Sequence, residues 1–186
     1  MINQKSKLAI ELEELISRKF QNDETALKYL ERIKGSSLTK KENAESHMCT
    51  YFAPYDPMAK EIFIGHHKKA DKWLVNGGHI DPNETLADTL RREIQEEWGL
   101  NYDDFEIAEP QLLTMCPIDN PTKQLCRMHF DIWHFIPVDK NTFHPDKNKL
   151  AEEFFEAGWF NFEKAMNLNT DDNQRKGFKY VKDNLF

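Results

Sequence analysis

Three glutamates, Glu93, Glu96 and Glu97, stand at i, i+3 and i+4 within the segment Arg91-Arg92-Glu93-Ile94-Gln95-Glu96-Glu97-Trp98. On a helix this spacing sets three carboxylates on neighbouring turns of one side. Like charges so placed repel, and a helix with only a structural task gains little from them. A hard divalent cation turns that repulsion into coordination, because such ions take several oxygen ligands. The chemistry suggested is metal-assisted attack on an anionic substrate.

The elements that must position these acids can be drawn from the flanking residues. Leu86, Leu90 and Ile94 recur every fourth residue and predict the buried stripe of a helix. At about 100° per residue, Glu97 falls between Leu86 and Leu90, Glu93 at the edge of the apolar arc and Glu96 further out. Asp88, Arg91 and Gln95 take the solvent side. A carboxylate pressed toward a core needs a cation or a hydrogen-bond donor. Thr85 with Asp88 resembles a capping box, Asn83 is an alternative cap, and Gly99 predicts a left-handed C-cap. Gly77-Gly78 predicts a tight turn ahead of the helix. Arg92 is expected to brace Glu84 or a neighbouring acid through a bidentate pair.

Nine positions of this stretch, Gly78, Glu84, Arg92, Glu93, Ile94, Glu96, Glu97, Gly99 and Leu100, resemble the signature box of the Nudix hydrolases. A looser likeness runs over residues 47 to 165, through His47, His66-His67, Trp73, Gly77-Gly78-His79 and Trp159-Phe160. It is similar to a bacterial subgroup with an N-terminal helical extension. Asn76 departs from it, since that subgroup often has Pro there, and Trp98 is bulkier than the common occupant. The resemblance implies an α/β/α sandwich around a mixed β-sheet, and a metal-dependent hydrolase acting on acid anhydrides. Its substrate would be a nucleoside diphosphate derivative or a related diphosphate compound. Mg2+ or Mn2+ would be held by Glu93, Glu96 and Glu97, with the Gly78 carbonyl as a further ligand, while Glu84 and Arg92 hold the loop and helix in place. The general base is expected from a later loop. Glu153, six residues before Trp159, matches a position where the family often places a functional glutamate, with Glu152 beside it; Glu97 or Glu93 are the other candidates.

Substrate contacts stay open between two readings each. Trp73 either stacks on a base or fills the core beside the glycines. His79 either touches a metal-bound phosphate or is a hydrogen-bonded loop histidine. Arg127 and His129 share a strand face that either binds substrate or is laced with ion pairs. His66, His67, Lys68 and Lys69 form either a phosphate contact or a solvated basic turn.

At 186 residues, with 39% hydrophobic and 31% charged, the chain can bury a real core and is globular. A net charge of −7 argues against nucleic acid or an anionic membrane surface as partner. Cys49, Cys116 and Cys126 lack paired spacing, which predicts reduced thiols in a cytoplasm rather than a disulfide framework or a zinc site. No apolar run reaches membrane-span length, and the charged first residues exclude a signal-peptide core. A small-molecule diphosphate is the expected partner, and a homodimer is compatible with family habit.

Residues 1–45 are expected to form the helical extension and 46–186 the catalytic domain. Leu8, Leu12, Leu15, Ile16 and Phe20 predict one helix; Asn22-Asp23 interrupts it and can cap a second carrying Leu27, Leu30 and Ile33, ended by Gly35. Strands are predicted at His47–Ala53, Glu61–His66, 72–76, 105–115, 124–137 and Gly158–Phe160, with Pro54 to Pro57 as a turn. Cys126, Met128, Phe130 and Ile132 should face the core, opposite Arg127, His129, Asp131 and Trp133. Helices are predicted near Glu163–Met166 and Asp171–Asn184. Two further readings are an isopentenyl-diphosphate-isomerase-like enzyme, suggested by Trp73, Asn76 and His79, and a non-catalytic nucleotide-sensing module. The first is weakened by the lack of an acidic cysteine at Gly77-Gly78, the second by the intact carboxylate set.

Overall fold

The computed structural model describes residues 5–118 and 125–186. Residues 1–4 of the expected extension and position 124 of the expected strand lie outside them. Helices α1 (Lys7–Lys19) and α2 (Glu24–Lys34) come first. They precede strands β1 (Ser46–Asp56), β2 (Glu61–His67), β3 (Lys72–Leu74) and β4 (Asn76–His79). Helix α3 (Leu86–Glu93) passes directly into a π-helical turn, Ile94–Trp98. Then come β5 (Leu112–Pro117), β6 (Met128–Pro137), α4 (Lys147–Glu153), β7 (Phe154–Asn161), α5 (Phe162–Asn167) and α6 (Asp172–Asn184). The strands form one mixed seven-stranded sheet in the order β3-β2-β1-β6-β5, with β4 beside β1 and β7 beside β2. Among the described residues no helix is long and apolar enough to cross a membrane.

The chain divides into two compact units. The first comprises Met1–Thr50, Gly78–Thr89 and Leu113–Ile132. Its core joins Leu8, Leu12, Leu15 and Ile16 of α1 to Ala26, Tyr29 and Ile33 of α2, and to Met48, Ile80, Leu86, Leu113, Phe130 and Ile132. The buried stripe of α2 is therefore Ala26-Tyr29-Ile33, and Leu27 is 60% exposed. Tyr29 shifts the helix by about one residue's rotation. Its hydroxyl, wholly buried, donates to the carbonyls of Thr114 and Asp131, and its ring meets Phe130 edge-on. Tyr29→Phe strands those acceptors and should cost about 1–2 kcal/mol, measured as a shift in urea midpoint without a change in slope.

The second unit comprises Tyr51–Gly77, Leu90–Leu112 and Trp133–Phe186. One core gathers Ile62, Ile64, Val75, Trp133, Phe135, Phe178 and Val181. Another gathers Phe52, Phe63, Leu90, Ile94, Trp98, Ile136 and Phe143.

Several boundaries differ from expectation for identifiable reasons. β1 runs through Pro54 to Asp56, where Tyr55 and Asp56 pair with Ile62 and Glu61. The turn follows it, held by Asp56 Oδ1 accepting from the amides of Met58 and Ala59. β7 has eight residues because it pairs along β2 from Glu61 to His67. The alternation expected in β6 fails: Asp131 and Trp133 are wholly buried, as suits an inner strand flanked by β1 and β5. Gly77 and Gly78 lie within β4 rather than in a tight turn, and Gly99 is the glycine with positive φ among the described residues.

Candidate active site and a second side-chain cluster

The helix that carries the acids starts as its sequence requires. Asp88 Oδ2 accepts from the Thr85 amide and hydroxyl, and Thr85 Oγ1 accepts from the Asp88 amide, a reciprocal capping box. Glu84 Oε2 accepts from the Asp81 amide at 3.0 Å and the Thr89 hydroxyl at 2.8 Å, tying the loop to the first helical turn. At the far end Gly99 takes φ 66°, and its amide donates to the Gln95 carbonyl. Between these ends the backbone widens into the π-turn at Ile94–Trp98. Such turns displace side chains from the α-helical advance and recur at functional sites.

Glu96 is the exposed one of the three acids, as its angle predicts, while Glu93, expected at the edge of the apolar arc, is as buried as Glu97. Glu93 and Glu97 are each 8% exposed, whereas the Glu96 side chain is 59% exposed. Arg92 Nη1 lies 2.7 Å from Glu93 Oε1 and 3.2 Å from Glu96 Oε2. This nitrogen is shared between the two acids. Burial drives the Glu97 carboxyl up to about 8, and the charges of Glu93 and Glu153 add to it. Donors from the Asn76 side chain and the Gly77 amide pull the other way.

Asn76 is the contact that sequence reasoning missed. It is 1% exposed, and Nδ2 donates to Glu97 Oε2. Proline, the residue the resemblance favours there, has no such donor. Asn76 Oδ1 is buried without a hydrogen-bond partner among the described residues. The second unit thus gathers two buried carboxylates and an unpartnered buried amide oxygen. A hard divalent cation suits such a set of oxygens.

Glu153 ends α4, where Lys69 Nζ approaches at 3.4 Å and His67 Nε2 at 3.5 Å. It acts electrostatically on Glu97. Glu152 is exposed. The basic turn is therefore engaged locally: Lys69 and His67 with Glu153, and His66 Nε2 with Asp71 at 2.9 Å. Trp73 stacks on His66 with ring centroids 5.5 Å apart and meets Phe160 edge-on at 5.0 Å.

The remaining expected residues lie in the first unit. Arg127 is exposed and its Nη1 contacts the Cys126 carbonyl. His79 and His129 converge with His47 and Cys49, their potential ligand atoms all within 4.8 Å of one another. Burial, reinforced by His47 and Lys40, lowers the His129 pKa to about 4. All three cysteines are buried free thiols.

A sequence model described as the NUDIX domain matches residues 50–181. No curated protein sequence matches the chain. Among solved structures, the E. coli dihydroneopterin triphosphate pyrophosphohydrolase superposes with TM-score 0.60 at 13% identity, over 71% of this chain and 92% of that one. A MutT protein from Methanosarcina mazei gives 0.55 at 16% identity, over 74% and 94%. A C. elegans Ap4A hydrolase gives 0.53 at 14% identity, over 72% and 95%. At such identities the likeness is one of fold.

Proposed function

The chain belongs to the NUDIX family, and we propose from that premise that it hydrolyses a phosphoanhydride bond in a nucleoside di- or polyphosphate derivative. The observation that carries this reading is the buried pair Glu93 and Glu97 one helical turn apart, with the Asn76 amide, whose Oδ1 is buried without a hydrogen-bond partner among the described residues, against Glu97. Structural relatives named for a triphosphate pyrophosphohydrolase and an Ap4A hydrolase support a substrate with a chain of phosphates.

Glu93, Glu96 and Glu97, with the Gly78 carbonyl, are the residues proposed to hold Mg2+ or Mn2+. When bound, the ion neutralises phosphate charge and lowers the pKa of coordinated water. Arg92 Nη1 orients Glu93 and Glu96. Glu84 fixes the entry to the helix. Asn76 holds the Glu97 carboxylate in one orientation.

For the proton of the attacking water we assign Glu153 ahead of Glu152, because Glu153 acts on Glu97 and Glu152 is solvated. Glu153→Gln should lower kcat by about 100-fold, while Glu152→Gln leaves it unchanged. Equal losses in the two variants would remove Glu153 from the assignment.

The function is tested by incubating the chain with Mg2+ or Mn2+ and nucleoside triphosphates, dinucleoside polyphosphates, nucleotide sugars and ADP-ribose. One class should be split into phosphorylated fragments, and its survival in every mixture refutes the reading.

A further inference from the structure

The strands of the first unit bring together a second set of ligands, of different chemistry from the glutamates. His47 and Cys49 stand two residues apart on β1, so both side chains leave the same face of the strand. His79 ends β4, which pairs with β1, and His129 lies on β6, the next strand in the sheet. The ring of His47 is 4.9 Å from that of His79 and 4.8 Å from that of His129, and the latter two are 5.5 Å apart. His47 is wholly buried and Cys49 is 5% exposed. Nothing in the diphosphate chemistry calls for three imidazoles and a thiol at one point.

We propose that His47, Cys49, His79 and His129 form a closed four-ligand site for Zn2+. One ligand atom from each residue lies within 4.8 Å of the others. Tetrahedral zinc, with bonds of about 2.0–2.3 Å, needs its ligands roughly 3.3–3.8 Å apart. Closure thus asks for side-chain movements of about an ångström or less. His47 is already oriented. Its Nδ1 lies 3.1 Å from the Asn43 carbonyl, which can only accept, so Nδ1 carries the proton and Nε2, now 3.9 Å from Cys126 Sγ, is the nitrogen with a lone pair for the ion. Three nitrogens and one sulfur suit a borderline ion and are poor ligands for Mg2+.

Binding breaks the Cys49 S–H bond, releases that proton to solvent and forms a Zn–S bond, leaving one net positive charge at the site. Asp131 is wholly buried two residues after His129 and acts electrostatically on Cys49, which offsets that charge. With four protein ligands the role is structural. The ion clips β4 to β1 and β6 where β4 leads toward the loop carrying Asp81 and Glu84.

The test uses the full chain without a histidine tag, incubated with ZnCl2, desalted into Mg2+ buffer and analysed by atomic emission. About one zinc ion per chain should be retained. His79→Ala should lose it, and His79→Cys, which restores a ligand, should keep it. Glu97→Gln should keep it too, so failure of the diphosphate reading leaves this one standing. Cobalt substitution should give the visible bands of a tetrahedral ion and a near-ultraviolet thiolate-to-cobalt band that Cys49→Ser removes. Circular dichroism identifies any variant that has lost its fold. Zinc absent from the desalted parent, retained in full by His79→Ala, or a cobalt spectrum unchanged in Cys49→Ser, overturns the proposal.

Discussion

Glu97→Gln is expected to lower kcat for diphosphate hydrolysis by about a thousand-fold, roughly 4 kcal/mol of lost transition-state stabilisation. The substitution is nearly isosteric and changes charge alone. Glu97 is buried, receives the Asn76 amide and the Gly77 N–H, and sits under the influence of Glu93 and Glu153. An acid held so firmly among other acids suits a cation ligand, and a neutral amide is a much poorer one. Glu96→Gln should cost only about ten-fold, because that side chain is solvated and shares Arg92 with Glu93. The measurement is steady-state turnover at saturating Mg2+, repeated with Mn2+. Partial recovery with Mn2+, which tolerates softer ligands, would support a lost metal contact. Undiminished turnover in Glu97→Gln would move the centre of the chemistry elsewhere.

The helix that carries this acid was readable because several local signals agree. Leu86, Leu90 and Ile94 set its buried side, Thr85 and Asp88 cap it, and Gly99 ends it. Burial of Glu97 and exposure of Glu96 followed from angular position, even though the π-turn departs from the α-helical advance assumed. What could not be read was non-local. Nothing adjacent in sequence places Asn76 against Glu97 across 21 residues. The same holds for the cluster of His47, Cys49, His79 and His129. Zinc spacing in a sequence is recognised by close pairs of ligands, whereas these arrive on three strands through sheet pairing. The unit boundaries were equally hidden, because β1 and β6 each run through both units. Tyr29 shows the same limit on a smaller scale. Leu27 is the more apolar residue, yet two distant carbonyls turn the other side of α2 inward.

Stripped of metal by a chelator, the protein should be less stable at pH 8 than near pH 6.5, and Glu97 should be the cause. Its folded-state pKa is raised from 4.5 to about 8. The folded chain therefore keeps a proton that the unfolded chain releases, and stability falls as pH rises between those values. In the lower part of that window the histidines oppose it. His129 is depressed from 6.5 to about 4, and burial lowers His47 and His67 as well. Unfolding then takes up protons below pH 6.5, so these groups add stability as pH rises toward that value. The two trends offset each other up to roughly pH 6.5, leaving the carboxylate alone above it. The net loss from there to pH 8 should be about 2 kcal/mol, or roughly 4–8 °C in Tm for a chain of this size. Glu97→Gln carries no titrating proton and should remain flat across that interval, overtaking the parent at its alkaline end. Adding Mg2+ to the parent at pH 8 should restore about 2–3 kcal/mol once the ion is at a hundredfold its Kd, and should do little for the variant. Melting curves at fixed ionic strength decide it. A parent and variant with the same slope would mean that Glu97 does not hold this proton, and the case for a cation beside it would lose its electrostatic ground.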